Sequence, residues 1–373
     1  MNPTNPIPLS QPSITNLERD AVMSVMDSAT LSLGPKILEF EEAIAQVTEN
    51  THAVAVNSGT SGLALALEAL NIGPGDAVIT TPYSFVASAN CILMRGAEPL
   101  FADIEPDTWN LDPVAVRRLL KTHFLRKRVK ALLPVHILGV PCDMTSLASI
   151  AREYDLKIVE DACEAIGARY NNHHVGTYAD ASVYAFYANK QITTLGEGGC
   201  VITRHDSVAK HIRSLRNQGR HENMGWLLHE RLGYNFRMTE AQAACGGAQL
   251  KRLREILDKR QQVAEWYEQA IGVDPRFIRQ ASPYGAQSWF VYVLKLAQTY
   301  TTQQRDRLTS ALRGRGIGSA TYFPAIHTMP HYLDRGWRRE DCPVAITVSE
   351  RTFAIPFFTD MTHEQVKQVA VAL

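Results

Sequence analysis

Residues 53–70 read AVAVNSGTSGLALALEAL, which predicts a strand, a tight turn and a helix in direct succession. The first four residues are small and apolar, as expected for a short buried strand. The turn over residues 57–62 contains two glycines, and the helix follows from Leu63. A strand that leads straight into a helix is typical of α/β folds.

The same alternation of apolar runs and helical patterns continues to about residue 250. The predicted strands are Ala53–Val56, Ala77–Thr80, Pro99–Ile104, Ala131–Pro134, Lys157–Glu160, Ala181–Phe186 and Cys200–Thr203. The predicted helices follow Gly34-Pro35 and lie near Leu63–Leu70, Val86–Met94, Val114–Leu120, Leu147–Tyr154 and Val208–Asn217. We therefore expect an α/β fold with a mostly parallel seven-stranded sheet between helices.

The pattern changes after Met238. Residues Thr239–Ile271 form a long run of good helix formers with an apolar stripe, and they lead into a second unit. That unit is predicted to contain a strand near Trp289–Leu296 and helices near Gln303–Arg313 and His363–Val371. We predict a large domain over residues 1–250 and a smaller C-terminal α+β domain over residues 251–373.

Charge and composition exclude several classes of function. The chain has 38 Lys and Arg residues and 38 Asp and Glu residues, so its formal net charge is zero. A neutral chain has no overall field that draws it to nucleic acid or to an anionic membrane. No apolar run approaches the ~18–20 residues that span a bilayer. We expect no nucleic-acid partner and no membrane span, and we interpret the basic residues 125–130 as a solvated loop.

The six cysteines are scattered, and no two of them form a C-x-x-C pair. This spacing fits neither a disulfide framework nor a zinc knuckle, and it favours a reducing cytoplasm. His327 and His331 are four residues apart, but Pro330 lies between them and no third ligand is close in sequence. We predict no metal site.

Four features at predicted strand ends suit one another chemically. The turn Asn57–Gly62 aims backbone N–H groups at one point, as in a phosphate site, although a simple helix N-cap explains it equally well. Asp161 ends a strand, where α/β sheets bind ligands, and alternatively it is an N-cap or a surface acid. Lys190 follows the apolar run 181–187, so we expect a partly desolvated nucleophilic amine unless the side chain extends to the surface. Phe85 is either core or a stacking platform.

Together these features supply an anion cradle, a carboxylate, a reactive lysine and an aromatic plate. The set suits pyridoxal 5′-phosphate, which a protein holds through its phosphate, its ring and a covalent bond from its aldehyde to a lysine. The motifs around them are Leu31–Pro35, Asn57–Thr60, Thr81–Ala87, Pro134–His136, Glu160–Ala165, Asn189–Gln191, Gly196–Gly199, Arg216–Gly219, Gly233–Glu240 and Tyr322–His327. In this order, over nearly the whole chain, they resemble the DegT/DnrJ/EryC1/StrS family of sugar aminotransferases, which are fold-type-I pyridoxal-phosphate enzymes.

The resemblance implies a role for each matching residue. Lys190 is expected to bond covalently to the cofactor aldehyde and, once released, to carry the proton between substrate and cofactor. Asp161 is expected to keep the pyridine nitrogen protonated, so that the ring can accept electrons. Phe85 would stack on the ring, and Gly59 and Thr60 would hold the phosphate through N–H and hydroxyl groups.

Further roles follow from the same resemblance. Glu164 occupies a position near the cofactor where the family often has glutamine. Asn235 resembles an asparagine that reaches the phosphate in the neighbouring subunit, which implies a homodimer with shared active sites. His327 resembles a residue near the sugar-nucleotide site, and Arg220 and Arg237 are further candidates for binding the diphosphate of such a substrate.

Two positions depart from the family pattern. Many relatives have a phosphate-contacting serine five residues before the lysine, whereas this chain has Ala185. One phosphate contact is therefore expected to be missing or to come from elsewhere. The motif after the lysine commonly reads Thr-Thr-Gly-Glu-Gly-Gly, but Leu195 intervenes here between Thr194 and Gly196. We expect a differently shaped loop at this point.

The resemblance implies a pyridoxal-phosphate-dependent aminotransferase that moves an amino group from L-glutamate to a keto-sugar nucleotide, in surface polysaccharide or modified-sugar biosynthesis. Three alternatives stay open. The first is a cyclitol aminotransferase. The second is a pyridoxal-phosphate sugar dehydratase, against which Lys190 argues because such enzymes typically have histidine there. The third is a regulator that binds the cofactor without turnover.

Overall fold

A computed structural model describes residues 6–221 and 228–373 of the chain. The helices in these residues are α1 (Asn16–Ser28), α2 (Pro35–Val47), α3 (Gly59–Ala69), α4 (Ala87–Met94), α5 (Pro113–Thr122), α6 (Met144–Glu153), α7 (Asp206–Arg216), α8 (Glu240–Lys251), α9 (Leu253–Ile271), α10 (Thr302–Gly314), α11 (Pro330–Leu333), α12 (Pro343–Ser349) and α13 (His363–Ala372). The strands are β1 (His52–Val56), β2 (Ala77–Thr80), β3 (Glu98–Phe101), β4 (Val129–Leu133), β5 (Lys157–Asp161), β6 (Arg169–Tyr170), β7 (His173–His174), β8 (Ala181–Ala185), β9 (Gly199–Thr203), β10 (Phe277–Ile278), β11 (Gly285–Ala286), β12 (Tyr292–Leu296) and β13 (Thr352–Ile355).

The large sheet has seven strands in the order β1-β9-β8-β5-β4-β2-β3. Strand β9 is antiparallel to both of its neighbours, and the pairs from β8 to β3 are all parallel. Six strands therefore run in one direction, and their carboxyl ends share one edge of the sheet. The predicted mostly parallel seven-stranded sheet is confirmed. Strand β3 is shorter than the predicted Pro99–Ile104, because Ile104 forms only an isolated bridge with Leu111.

Helix α3 explains the composition of the stretch that follows β1. Residues 63–67 alternate leucine and alanine, and each of them is at most 4% exposed. A helix with apolar residues all round is stable only when it is buried all round. Helix α3 contacts β5, β8 and β9 of the sheet together with α4 and α7, so it lies in the core and not on the surface.

The second unit contains a three-stranded antiparallel sheet, β10-β12-β13. Apolar residues of α9, α10 and α13 pack against this sheet. The long helical run predicted over Thr239–Ile271 is two helices, because Arg252 leaves helical geometry with ψ near 3°. The strand predicted near Trp289 begins at Tyr292. The division between residues 250 and 251 stays a prediction.

The N-terminal helix α1, which the sequence patterns did not indicate, is fixed to α8. Thr15 and Glu18 form a capping box at the start of α1. Glu18 is 1% exposed and binds Arg252 at 2.9 Å and Gln249 at 2.8 Å. Burial raises the pKa of Glu18, but hydrogen bonds from Thr15, Arg252 and Gln249 outweigh it and lower the pKa to about 2. In the described part of the chain, every helix is too short or too polar to cross a bilayer.

Candidate active site

A pocket of about 660 Å³ opens at the carboxyl edge of the large sheet. Its walls come from the segments that follow β1, β2, β5 and β8, and from residues 290 and 321–324 of the second unit. The predicted site residues that line it are Gly59, Thr60, Phe85, Asp161, Glu164 and Lys190. Parallel topology explains the meeting, because strands that are distant in sequence end side by side at one edge.

Asp161 is the last residue of β5 and is 5% exposed. Its Oδ2 accepts a hydrogen bond from Ser88 Oγ at 2.7 Å, and its Oδ1 accepts one from the Cys163 N–H at 3.1 Å. Ser88 Oγ lies 2.8 Å from Ser84 Oγ, which holds the hydroxyl in turn. A carboxylate has about four acceptor positions, so Asp161 can accept a further N–H from a ligand in the pocket. Asp161 is therefore neither a helix N-cap nor a surface acid.

Lys190 lies beside Glu164 and under an aromatic ring. Its Nζ is 3.3 Å from Glu164 Oε1 and 4.0 Å from the centre of the Phe290 ring. The lysine and glutamate side chains are 12% and 7% exposed. The other glutamate oxygen accepts the Leu138 N–H at 2.9 Å. Burial raises the pKa of Glu164, while the Lys190 charge and the Leu138 N–H oppose that rise.

The turn after β1 gives the pocket its N–H donors. Helix α3 begins at Gly59, four residues before the predicted start, because Ser58 is its N-cap and accepts the Ser61 N–H at 3.2 Å. A side chain at Gly59 would place its Cβ 2.8 Å from the Cβ of Ala185 and from Cys163 Sγ. Glycine is therefore required for this close packing, and the first-turn N–H groups of Gly59 and Thr60 have no partner within the helix.

Aromatic and apolar side chains are exposed around the pocket. Phe85 is 59% exposed, so the interpretation of Phe85 as core is wrong. Tyr187 and Leu195 are 50% and 51% exposed. Leu195 has a left-handed backbone with φ of 59°, a conformation that leucine rarely adopts. The loop continues into Glu197 and Gly198, which line the pocket.

Four predicted site residues lie outside the pocket lining. His327 is completely buried, with Nε2 3.3 Å from the Arg339 carbonyl oxygen. Asn235 is exposed and pairs through its backbone with Asn217. Arg237 donates to Asn217 Oδ1 at 3.0 Å, and Arg220 is half-buried. Their contacts with substrate or with a second subunit stay predictions.

Sequence reasoning missed several residues of this pocket. Ser88 carries no distinct signal, because a single serine in a predicted helix does not indicate a contact with a carboxylate that is distant in sequence. Tyr322 begins the motif Tyr322–His327, which predicts no role for it at the pocket, and Phe290 carries no local signal that would place it over Lys190. Asn189 Oδ1 is buried and has no hydrogen-bond partner among the described residues, which leaves an acceptor available in the pocket.

The sequence model of the DegT/DnrJ/EryC1/StrS aminotransferase family matches residues 12–373. The chain belongs to this family. It is 36% identical to GDP-perosamine synthase of Caulobacter vibrioides, with 98% of this chain and 97% of that protein covered. It is 35% identical to the spore coat polysaccharide biosynthesis protein SpsC of Bacillus subtilis, with coverages of 98% and 96%.

Solved structures of aminotransferases have the same fold. The crystal structure of S. venezuelae DesV in complex with a ketimine intermediate matches with a TM-score of 0.90 and 31% identity, covering 99% of this chain and 98% of DesV. Helicobacter pylori PseC, an aminotransferase involved in pseudoaminic acid biosynthesis, matches with a TM-score of 0.90 and 28% identity over the same shares. The fold-type-I aminotransferase architecture is thereby confirmed for this family member.

Proposed function

We propose that this family member is a pyridoxal-phosphate-dependent sugar aminotransferase that moves an amino group from L-glutamate to a keto-sugar nucleotide. The observation that carries the proposal is the meeting of Lys190 and Asp161 in one pocket at the carboxyl edge of the sheet. Relatives named for GDP-perosamine and for spore coat polysaccharide support a sugar as the acceptor. Lys190 argues against a sugar dehydratase.

The residues of the pocket fit pyridoxal 5′-phosphate. The cofactor, when bound, supplies an aldehyde that captures amines and a ring that accepts electrons. The first turn of α3 lines the pocket at Gly59 and Thr60, where the helix dipole and the N–H groups favour an anion such as a phosphate. Asp161 has an acceptor position left for a ring N–H, and Phe85 offers an exposed aromatic face.

The pocket residues would then divide the tasks among them. Lys190 would hold the aldehyde through Nζ and, once released, would carry a proton to and from the substrate carbon. Asp161 holds a proton on the ring nitrogen. Gly59 and Thr60 donate N–H bonds to the phosphate. Glu164 lies 3.3 Å from Lys190 Nζ and holds the amine in place. Ala185 leaves the phosphate without a hydroxyl from that position.

We further propose a homodimer with shared sites. Within the described residues no arginine lines the pocket, although both substrates carry anionic groups. Arg220, Arg237 and His327 remain our candidates for those groups, and Asn235 for the cofactor phosphate of the neighbouring subunit. The six cysteines are free thiols, which supports a reducing cytoplasm as the location.

The test begins with purified, cofactor-loaded protein. Borohydride reduction and peptide mass mapping are expected to place the cofactor on Lys190. Addition of L-glutamate is expected to replace the absorbance of the lysine-bound form by that of the amine form, and Lys190→Ala is expected to abolish this change. An adduct on another residue, or none, contradicts the proposal, and an unchanged spectrum with a correct adduct favours the regulator. A screen of UDP-, dTDP- and GDP-linked keto sugars, with cyclitol ketones alongside, identifies the acceptor.

A further inference from the structure

Two titratable side chains are completely buried directly behind the pocket. His136 and Glu160 are each 0% exposed, and His136 Nε2 lies 2.8 Å from Glu160 Oε2. His136 Nδ1 is 3.1 Å from the Cys142 N–H and accepts it. The imidazole must therefore carry its proton on Nε2 and donate it to Glu160. Glu160 also accepts the Gly176 N–H.

The pair is connected to the end of β5, which carries Asp161. The Asp161 N–H donates to the Pro134 carbonyl at 2.9 Å, and the His136 N–H donates to the Asp161 carbonyl at 3.1 Å. Glu160 is the chain neighbour of Asp161, so the bond between His136 and Glu160 adds a side-chain connection to this backbone pairing. The end of β5 is thus held on two sides.

The same histidine anchors the turn over residues 136–142. Its carbonyl accepts the Gly139 N–H at 3.1 Å, and its ring accepts the Cys142 N–H. Inside this turn Leu138 is left-handed, with φ of 55°, and directs its N–H at Glu164 Oε2. Left-handed leucine is unfavourable, so surrounding contacts must hold the turn in this form.

We propose that His136 and Glu160 are a positioning pair, which holds Asp161 through the β5 end and Glu164 through the Leu138 N–H. The proposal rests on the proposed aminotransferase function, because it assigns the pair to the placement of those two acids around the cofactor and Lys190. Neither member of the pair touches the pocket.

Loss of the pair has two physical consequences. A misplacement of catalytic groups by 1 Å can cost about 100-fold in rate. Loss of the Leu138 N–H also removes a contact that lowers the pKa of Glu164, so that pKa rises. The charged or titratable groups that act on Glu164 are Lys190, Asp161, Cys163, Tyr83 and Tyr322, and all of them stay in place in the variants below.

The decisive variant replaces both members of the pair by leucine. Exchange of a buried polar pair for apolar residues of similar volume often preserves stability. His136→Leu with Glu160→Leu also leaves the Cys142 and Gly176 N–H groups without their acceptors, so urea unfolding of the double variant is measured alongside its rate. We expect the rate of the L-glutamate half-reaction to fall about 10- to 100-fold, with half-saturation by glutamate changed less than about twofold. Because the pKa of Glu164 rises, the change in cofactor absorbance that accompanies protonation of Glu164 is expected to occur at higher pH.

Conservative variants provide the rescue. His136→Gln keeps an acceptor for the Cys142 N–H and a donor for Glu160, and Glu160→Gln keeps an acceptor for both N–H groups. Each is expected to stay within about threefold of the wild-type rate. The side chain of His136→Asn is too short to reach both the Cys142 N–H and Glu160, so this variant is expected to show the same loss of rate as the double leucine variant. It replaces the double variant in the test if that variant does not fold. Glu18→Gln controls for loss of a buried carboxyl elsewhere.

The outcomes separate the two proposals. If the double leucine variant or His136→Asn folds and keeps the wild-type rate and pH dependence, the positioning role is overturned. A wild-type protein that forms no adduct at Lys190, or does not respond to L-glutamate, contradicts the proposed function instead.

Discussion

At the scale of single residues, the pocket depends on contacts that allow little substitution. Gly59 packs against Ala185 and Cys163 so closely that a Cβ does not fit. Asp161 is held through both oxygens, and its bond from Ser88 joins a helix that follows β2 to the end of β5. Hydrogen bonds to a buried charged group are worth more than those between neutral groups, so Ser88 matters beyond its size.

Ser88→Ala tests this bond. We expect the free energy of unfolding to fall by about 1–3 kcal/mol, because Asp161 loses a buried donor. The L-glutamate half-reaction is expected to slow as well, since the carboxylate is less well held. Urea unfolding and stopped-flow absorbance measure the two effects. The control is Ser84→Ala, which leaves the bond from Ser88 to Asp161 intact. Equal effects in both variants would show that this bond contributes no more than an ordinary buried serine hydrogen bond.

At the scale of elements, α8 packs against both N-terminal helices, α1 and α2. Helix α2 has Gly34 as its N-cap and no capping side chain of its own. Glu240 at the start of α8 takes that role, accepting the Lys36 and Ile37 N–H groups at 2.8 and 3.2 Å. A carboxylate at a helix N-terminus is also favoured by the helix dipole. Helices α2 and α8 are thereby fixed together.

Two adjacent glycines in α8 give a matched pair of substitutions. A Cβ on Gly246 would lie 2.6 Å from atoms of Phe40 and Thr194, whereas a Cβ on Gly247 meets nothing within 4 Å. We expect Gly246→Ala to lower the free energy of unfolding by about 1–3 kcal/mol through overpacking. Gly247→Ala is expected to raise it by about 0.5–1 kcal/mol through helix propensity. Chemical denaturation measures both, and a destabilised Gly247→Ala would contradict the packing argument.

At the scale of the whole molecule, the remaining question is what completes the site. The pocket lining exposes Phe85 and Tyr187, exposed Leu195 precedes the lining residues Glu197 and Gly198, and Asn235 lies outside the pocket. Exposed apolar side chains of this size around one opening favour burial against another surface. A second copy that also supplies Asn235 satisfies both observations, and closed twofold symmetry would give two equivalent sites.

Mixed dimers test the sharing of sites. Lys190→Ala and Asn235→Ala are each expected to be inactive alone. When the two variants are expressed together, half of the dimers contain one of each, and one of the two sites in such a dimer is intact. We therefore expect about a quarter of the wild-type activity in the glutamate half-reaction. No activity above the sum of the separate variants would show that Asn235 acts within its own subunit, and sedimentation gives the oligomeric state.

The sequence by itself determined the seven strands of the large sheet and the helices between them, because burial imposes apolar runs of fixed period that can be read locally. It also indicated Gly59, Asp161 and Lys190, since each lies at or shortly after the end of a strand, at the edge where α/β sheets bind ligands. Only the tertiary structure decided the break at Arg252, the N–H from Leu138 to Glu164, the ring of Phe290 on Lys190 and the burial of His327. These four features depend on contacts between segments that are 26 to 234 residues apart in sequence. Such contacts leave no periodic signal in either segment.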